Sequence, residues 1–182
     1  LAAWGVEHPR SCWCPAGMPD TGAATPWGGR FQESPAETIR RFTESISYDH
    51  RLAEHDIRGS LAHARMLAAA GLLGHEEFAQ IRAGLEKIAA TIRSGDFPWR
   101  QELEDVHMNI EAALTEITPA GAKLHSGRSH NDQVATAMRL WLKDEIRAQQ
   151  AATRTLQRAL VRAADDDPAA VMPGYTHLQR AQ

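Results

Sequence analysis

Apolar residues recur every three to four positions along the chain from Phe31 onward, and this spacing predicts helices. Between Glu54 and Ala70, Ile57, Leu61, Ala64 and Ala68 share one face, and Gly71 stands where such a helix ends. A second stripe follows with Phe78, Ile81, Leu85, Ile88 and Ile92. Glu76 and Glu77 suit its first turn, and Ser94-Gly95 closes it. A third helix is predicted from about Gln101 to Thr118, carried by Leu103, Val106, Ile110, Leu114 and Ile117 and stopped by Pro119 and Gly121. The fourth has no Gly or Pro from Asn131 to about Asp165, and Val134, Met138, Trp141, Ala148, Ala152, Leu156, Ala159 and Ala163 stay on one face. No strand signal matches these in strength, so the expected fold is all-α.

The fourth helix sets the architecture. At 1.5 Å per residue it spans roughly 50 Å, more than the diameter of a domain this size. Its apolar face therefore needs partners beyond Gln182 or from other chains, which predicts the start of an unfinished, truncated long-helix bundle. The alternative, a monomeric antiparallel bundle, needs a second long helix that these 182 residues lack.

Composition adds a boundary and removes some function classes. The chain is 43% hydrophobic and 24% charged, enough for a real core, and its length fits one domain plus part of another. Residues 1–26 differ: they hold four of the nine prolines, two of the five tryptophans and both cysteines, without helical or strand period. They are expected to be an irregular tail, with a helical domain over 27–124 and the beginning of the bundle over 125–182. A net charge of -3 and no basic run give no footprint for nucleic acid. No apolar run reaches 18 residues, so no membrane span is expected, and the absence of a signal-type apolar core predicts a cytoplasmic protein. Cys12 and Cys14 are too close for an easy disulfide and are expected as free thiols. The histidines show no ligand spacing, so no metal site is expected.

The densest chemistry lies in Ser126-Gly127-Arg128-Ser129-His130-Asn131-Asp132-Gln133, with seven polar side chains in eight residues. Gly127 permits a tight bend, Ser129 can cap the helix that follows, and Asp132 can answer from the first turn. The free backbone N–H groups there, beside Arg128, Ser129 and Asn131, suit a carboxylate or phosphate. An ordinary capped helix start is the plainer reading. A second polar stretch, Pro173-Gly174-Tyr175-Thr176-His177-Leu178-Gln179-Arg180-Ala181-Gln182, begins on a turn and then presents a hydroxyl, an imidazole, an amide and a guanidinium.

Together these two stretches resemble the Gly-Arg-Ser-Arg-Asn-Asp-Gln and Pro-Gly-Tyr-Thr-His-Leu-Gln-Arg-Ala-Gln motifs of argininosuccinate lyase, in the fumarase and aspartase superfamily. Trp27-Gly28-Gly29-Arg30-Phe31, the segment from Phe42 to Asp49 with Arg51-Leu52, and Asp105-Val106-His107 with Glu111 are similar to other parts of that family. The resemblance implies a lyase that splits argininosuccinate into arginine and fumarate without a cofactor, in a homotetramer built around a central bundle of long helices. It implies substrate binding by Ser45 and Asn131, with Thr176 contributing from a neighbouring subunit, and by His107, Arg128, Ser129 and His130. His177 is implied as the general acid or base, work that suits an imidazole. From its spacing alone, His107 sits on the apolar face of its helix and reads equally as a core histidine, with Glu111 able to orient it.

Two departures accompany the resemblance. His130 stands where the family usually has Arg, and an isolated imidazole there is expected to be mostly neutral at pH 7. The family's Gly-Ser-Ser-x-Met-Pro loop, with the serine usually assigned as base, does not occur before Gln182, so these 182 residues alone are expected to be inactive. Adenylosuccinate lyase and fumarase chemistry, and a non-catalytic structural subunit of the lens-crystallin kind, are the alternatives.

Overall fold

A computed structural model of the chain describes residues 36–171 and 174–181. The 1–26 segment with Cys12 and Cys14, the Trp27 to Phe31 match, Pro173 and Gln182 lie outside the described residues. The described residues are almost wholly helical, as the apolar spacing predicts: α1 (Glu37–Thr43), α2 (Ile46–Asp49), α3 (Ala53–Ala69), α4 (His75–Ser94), α5 (Val106–Ile117) and α6 (His130–Asp166). Short 3-10 turns lie at His50–Leu52, Gln101–Leu103 and Pro119–Lys123. The one sheet among the described residues is a two-stranded antiparallel hairpin of β1 (Tyr175–Thr176) and β2 (Gln179–Arg180).

Two compact units divide the chain, residues 1–141 and 142–182. In the first, α3, α4 and α5 pack pairwise around a core whose fully buried side chains include Leu67, Ile81, Leu85, Val106 and Leu114. The helix ends follow local chemistry. Gly71 (φ 73°) and Gly95 (φ 83°) end α3 and α4 in the left-handed conformation. That conformation turns the Leu72 N–H back to the Leu67 carbonyl (2.9 Å) and the Asp96 N–H to that of Thr91 (3.1 Å). The Glu77 carboxylate accepts the Gly74 N–H (3.0 Å) at the start of α4 and also meets Lys123 from the 3-10 turn after α5.

Gly84 sets the contact between α4 and α5. A Cβ built there would stand 2.6 Å from Cδ1 of the fully buried Leu114. Gly84→Val is therefore expected to destabilise the chain by about 2 kcal/mol through overpacking. A chemical-denaturation midpoint that does not fall would contradict this.

Two expectations need correction. The third helix begins at Val106, not Gln101: Gln101–Leu103 form a 3-10 turn, Glu104 takes a positive φ of 62°, and the Asp105 carboxylate then caps α5 by accepting the Met108 N–H at 2.8 Å. The face of α6 is also rotated from the one expected. Its buried residues are Gln133 and Ala137, while Met138 is exposed and Val134 and Trp141 are half-buried. Gln133 is inside because it has a buried polar partner in α3.

The second unit consists of the later turns of α6 and the hairpin. Leu142, Ile146, Leu156, Leu160 and Val161 of α6 are all exposed within it.

Candidate active site

The first unit brings several of the sequence-predicted residues to one junction, where α2, the start of α5 and the start of α6 meet. The Ser45 and Ile46 N–H groups both donate to the Glu104 carbonyl (2.8 and 2.9 Å), which fixes the α2 start against the turn before α5. Asp49 at the end of α2 accepts the Ser45 hydroxyl (2.6 Å) and the first N–H of α5, from Val106 (3.2 Å). Burial pushes the Asp49 carboxyl above its ordinary value, helped by the nearby Asp105 and opposed by the Ser45 hydrogen bond.

The start of α6 closes the junction from the other side. Gly127 (φ 65°) makes the bend, the Asp132 carboxylate accepts the Ser129 N–H (2.9 Å), and the Ser129 hydroxyl accepts the Asn131 N–H (3.3 Å). The reciprocal cap expected from the sequence is thus present. Arg128 reaches back to donate to the Ser60 hydroxyl of α3 (3.0 Å), and His63 meets the Ser126 carbonyl (3.0 Å). Burial pushes the Arg128 guanidinium below its ordinary value, against the opposing pull of Asp56, Glu111 and Asp132. Ser129 and Asn131 are exposed, and the Asn131 side chain has no hydrogen-bond partner among the described residues.

His107 is buried, as its place on the apolar face of α5 requires, and it is held by Asp56 of α3 (Nδ1 to Oδ1, 2.9 Å). Gln133 of α6 donates to the same Asp56 oxygen (2.7 Å). The expected orienting role of Glu111 is not observed: Glu111 faces His125 (3.3 Å), and the carboxylate that directs His107 comes from a different helix. The His107 ring meets the His130 ring edge to face, with centroids 5.5 Å apart.

His130 is paired with the cap of α5. Its Nε2 lies 2.6 Å from Oδ2 of Asp105, and this hydrogen bond raises the imidazole pKa above 6.5 although burial opposes it. The charges of Asp105, Glu111 and Asp56 act in the same upward direction. For Asp105, burial acts upward, but hydrogen bonds from His130 and the Met108 N–H, with the charges of His130 and His107, leave its pKa below 3.8. The pair thus favours the charged form of each partner more than an isolated side chain would.

The sign of the pH effect follows from the two shifts. The raised His130 contributes fully below pH 6.5 and loses its contribution as pH rises through its elevated pKa; the lowered Asp105 contributes above pH 3.8 and loses it as pH falls through its depressed pKa. With the imidazole more than a third exposed, screening keeps the pair at about 1 kcal/mol or less. His130→Arg should remove the alkaline loss, so the melting temperatures of the two proteins should differ more at pH 8.5 than at pH 5.5. A difference independent of pH would exclude the pair as its source.

Thr176 and His177 belong to the second unit. They occupy the hairpin, where His177 (φ 48°) and Leu178 (φ 62°) form a two-residue loop between the pairs Thr176↔Gln179 and Tyr175↔Arg180. Such a loop favours Asn-Gly, so a His-Leu loop costs about 1–2 kcal/mol per residue in strain. The Thr176 hydroxyl oxygen lies 3.0 Å from Nδ1 of His177, and both side chains are exposed.

Asp49, Asp56 and Gln133 were not among the predicted site residues. Asp49 and Gln133 end stretches singled out in the sequence, while Asp56 carries a signal only as a polar residue among the buried Ala53, Ile57 and Ser60 of α3. Among the described residues, no group of three or more His, Cys, Asp or Glu is placed to hold a metal ion, and no helix is long and apolar enough to cross a membrane.

Residues 29–182 match the sequence model of a protein family described as lyase. The chain belongs to this lyase family. Among curated relatives, it is 56% identical over 157 residues to the argininosuccinate lyase of Methylococcus capsulatus and 55% identical over 158 residues to that of Nitrosococcus oceani. It is 53% identical over 157 residues to that of Neisseria meningitidis serogroup C. Each alignment covers 86% of this chain and 34% of the relative, so this lyase chain spans about a third of the length of the curated relatives it matches.

Proposed function

We propose that the complete protein is an argininosuccinate lyase, which removes a proton beside a carboxylate of argininosuccinate and breaks the C–N bond to release arginine and fumarate. The observation that carries this reading is identity above 50% to relatives that bear that name, beside a family match over residues 29–182 that includes both dense polar motifs. The junction of α2, α5 and α6 is where this chain would hold substrate. Ser45, Asn131 and Ser129 offer exposed or half-exposed polar groups there, Arg128 and His130 supply positive charge, and His107 forms the buried wall behind His130. The Arg128 guanidinium and the Asn131 amide are the donors there that suit the doubly charged carboxylate that develops during elimination.

His177 is the acid or base of this scheme, with Thr176 beside it binding substrate from a neighbouring subunit. A homotetramer is the corresponding assembly. The exposed apolar residues of α6 support it, since a 37-residue helix with Leu142, Ile146, Leu156, Leu160 and Val161 uncovered needs a partner. The domain frame is a helical domain over 27–124 and the start of a bundle from 125, and the protein is a cytoplasmic enzyme of arginine biosynthesis that takes a small-molecule substrate without nucleic acid or membrane.

The test is fumarate absorbance from the complete purified protein offered argininosuccinate, adenylosuccinate or malate. Growth with argininosuccinate alone is the expected result. Growth only with one of the other two would overturn the assignment.

A further inference from the structure

In the first unit, Glu104 is the one described residue other than glycine with a positive φ. Its φ of 62° and ψ of -55° belong to the rare, strained form of the three-residue turn, closed here by the Asp105 N–H on the Leu103 carbonyl at 2.7 Å. Glutamate prefers extended or helical backbone, so neighbours must hold it in this turn. The buried Asn109 side chain pins both ends of the segment: it accepts the Arg100 N–H (2.8 Å) and donates to the Arg100 and Asp105 carbonyls (3.0 and 2.8 Å). Between those ends, the turn aims the Glu104 carbonyl at the Ser45 and Ile46 N–H groups of α2 and leaves the Asp105 carboxylate between the Met108 N–H and His130. One strained residue thus joins α2, α5 and α6.

The relaxed alternative lies in the same segment. Leu103 continues the apolar period of Val106 and Ile110, so with Glu104 in helical space α5 would run back toward Gln101. In that helix the Met108 N–H goes to the Glu104 carbonyl, four residues earlier. That carbonyl then leaves Ser45 and Ile46, and the Asp105 carboxylate loses the N–H that it caps. A single N–H therefore has two competing acceptors, and its choice decides whether α2 and α6 are tied to the start of α5.

We propose that Glu104 is a positioning residue: its strained turn is the substrate-holding setting of a joint, and continuation of α5 toward Gln101 is the setting in which the substrate site comes apart. This rests on the lyase reading above and adds to it what keeps the site assembled. The backbone conformation is the working part, so the tolerance of the residue at 104 for positive φ sets the balance.

Glu104→Gly, Glu104→Ala and Glu104→Val all remove the carboxylate and differ in that tolerance, in falling order. In the complete protein, kcat/KM for argininosuccinate is measured well below the melting temperature of each. Glycine is expected to match or exceed the parent, alanine to fall below glycine, and valine to fall roughly tenfold or more below glycine. This order reverses the one usual in regular structure, where alanine outperforms glycine, and recovery by glycine is a result that lost side-chain contacts cannot give. Equal kcat/KM for glycine and alanine overturns the proposal even if their melting temperatures differ, because the strain then serves the fold alone. Alanine above glycine overturns it as well, and this comparison decides by itself if the valine variant does not fold. A parent protein without argininosuccinate turnover defeats the lyase reading and this inference with it.

Discussion

Asp56→Ala is expected to cost about 3 kcal/mol or more, the scale for leaving buried donors unpartnered beside a new cavity. Asp56 lies in α3, and a single oxygen of its carboxylate holds both Nδ1 of His107 from α5 and the Gln133 amide from α6. All three residues are buried, so truncation leaves an imidazole and an amide without partners and opens a void between three helices. Asp56→Asn should cost less, because it keeps the shape and one acceptor oxygen. Denaturant melts of the two variants test this: Asp56→Ala within 1 kcal/mol of the parent would mean that the network does not hold α3, α5 and α6 together.

In the complete protein His177→Asn should lower turnover roughly 100-fold or more, the scale of lost acid or base catalysis. The hairpin gives a physical reason to look here. His177 and Leu178 both hold left-handed backbone conformations in a loop where Asn-Gly would be relaxed, and retained strain of this kind is a marker of function. The loop leaves the imidazole exposed with Thr176 at its Nδ1, so asparagine fits the same backbone while removing the titratable group. Stability should hold or rise slightly as activity falls. Turnover close to that of the parent would remove His177 from the chemistry.

The helices were legible where apolar period and local punctuation agreed. The ends of α3 and α4 fall at Gly71 and Gly95, as their sequences predict, because a positive φ is a property of the residue itself. The start of α5 was less legible. Leu103 keeps the helical period, yet Glu104 leaves helical space and Asp105 begins the helix by capping it, a choice enforced by the contact of Ser45 and Ile46 with the Glu104 carbonyl. The inward face of α6 was misread for a related reason. Apolar spacing favours Val134, Met138 and Trp141, but Gln133 turns inward to meet Asp56, 77 positions earlier in the chain. Polar pairs across such separations leave no periodic trace. The same holds for the Asp56–His107 and Asp105–His130 pairs, which assign partners that local spacing gives to Glu111 or to none.

At the site itself, composition located the capped start of α6 and its polar cluster, because Gly127, Ser129 and Asp132 act over a few residues. It did not reveal that His130 is drawn toward the imidazolium form, since the carboxylate responsible lies 25 positions away.

If substrate is held at the start of α6, as proposed, the Asn131 side chain meets it. Its side chain is exposed and has no hydrogen-bond partner among the described residues, so its loss should leave the fold untouched. In the complete protein, Asn131→Ala is predicted to keep the parent melting temperature and to lose roughly tenfold or more in kcat/KM for argininosuccinate, the scale of one hydrogen bond to a charged ligand. An unchanged kcat/KM would contradict the placement of the substrate at this helix start.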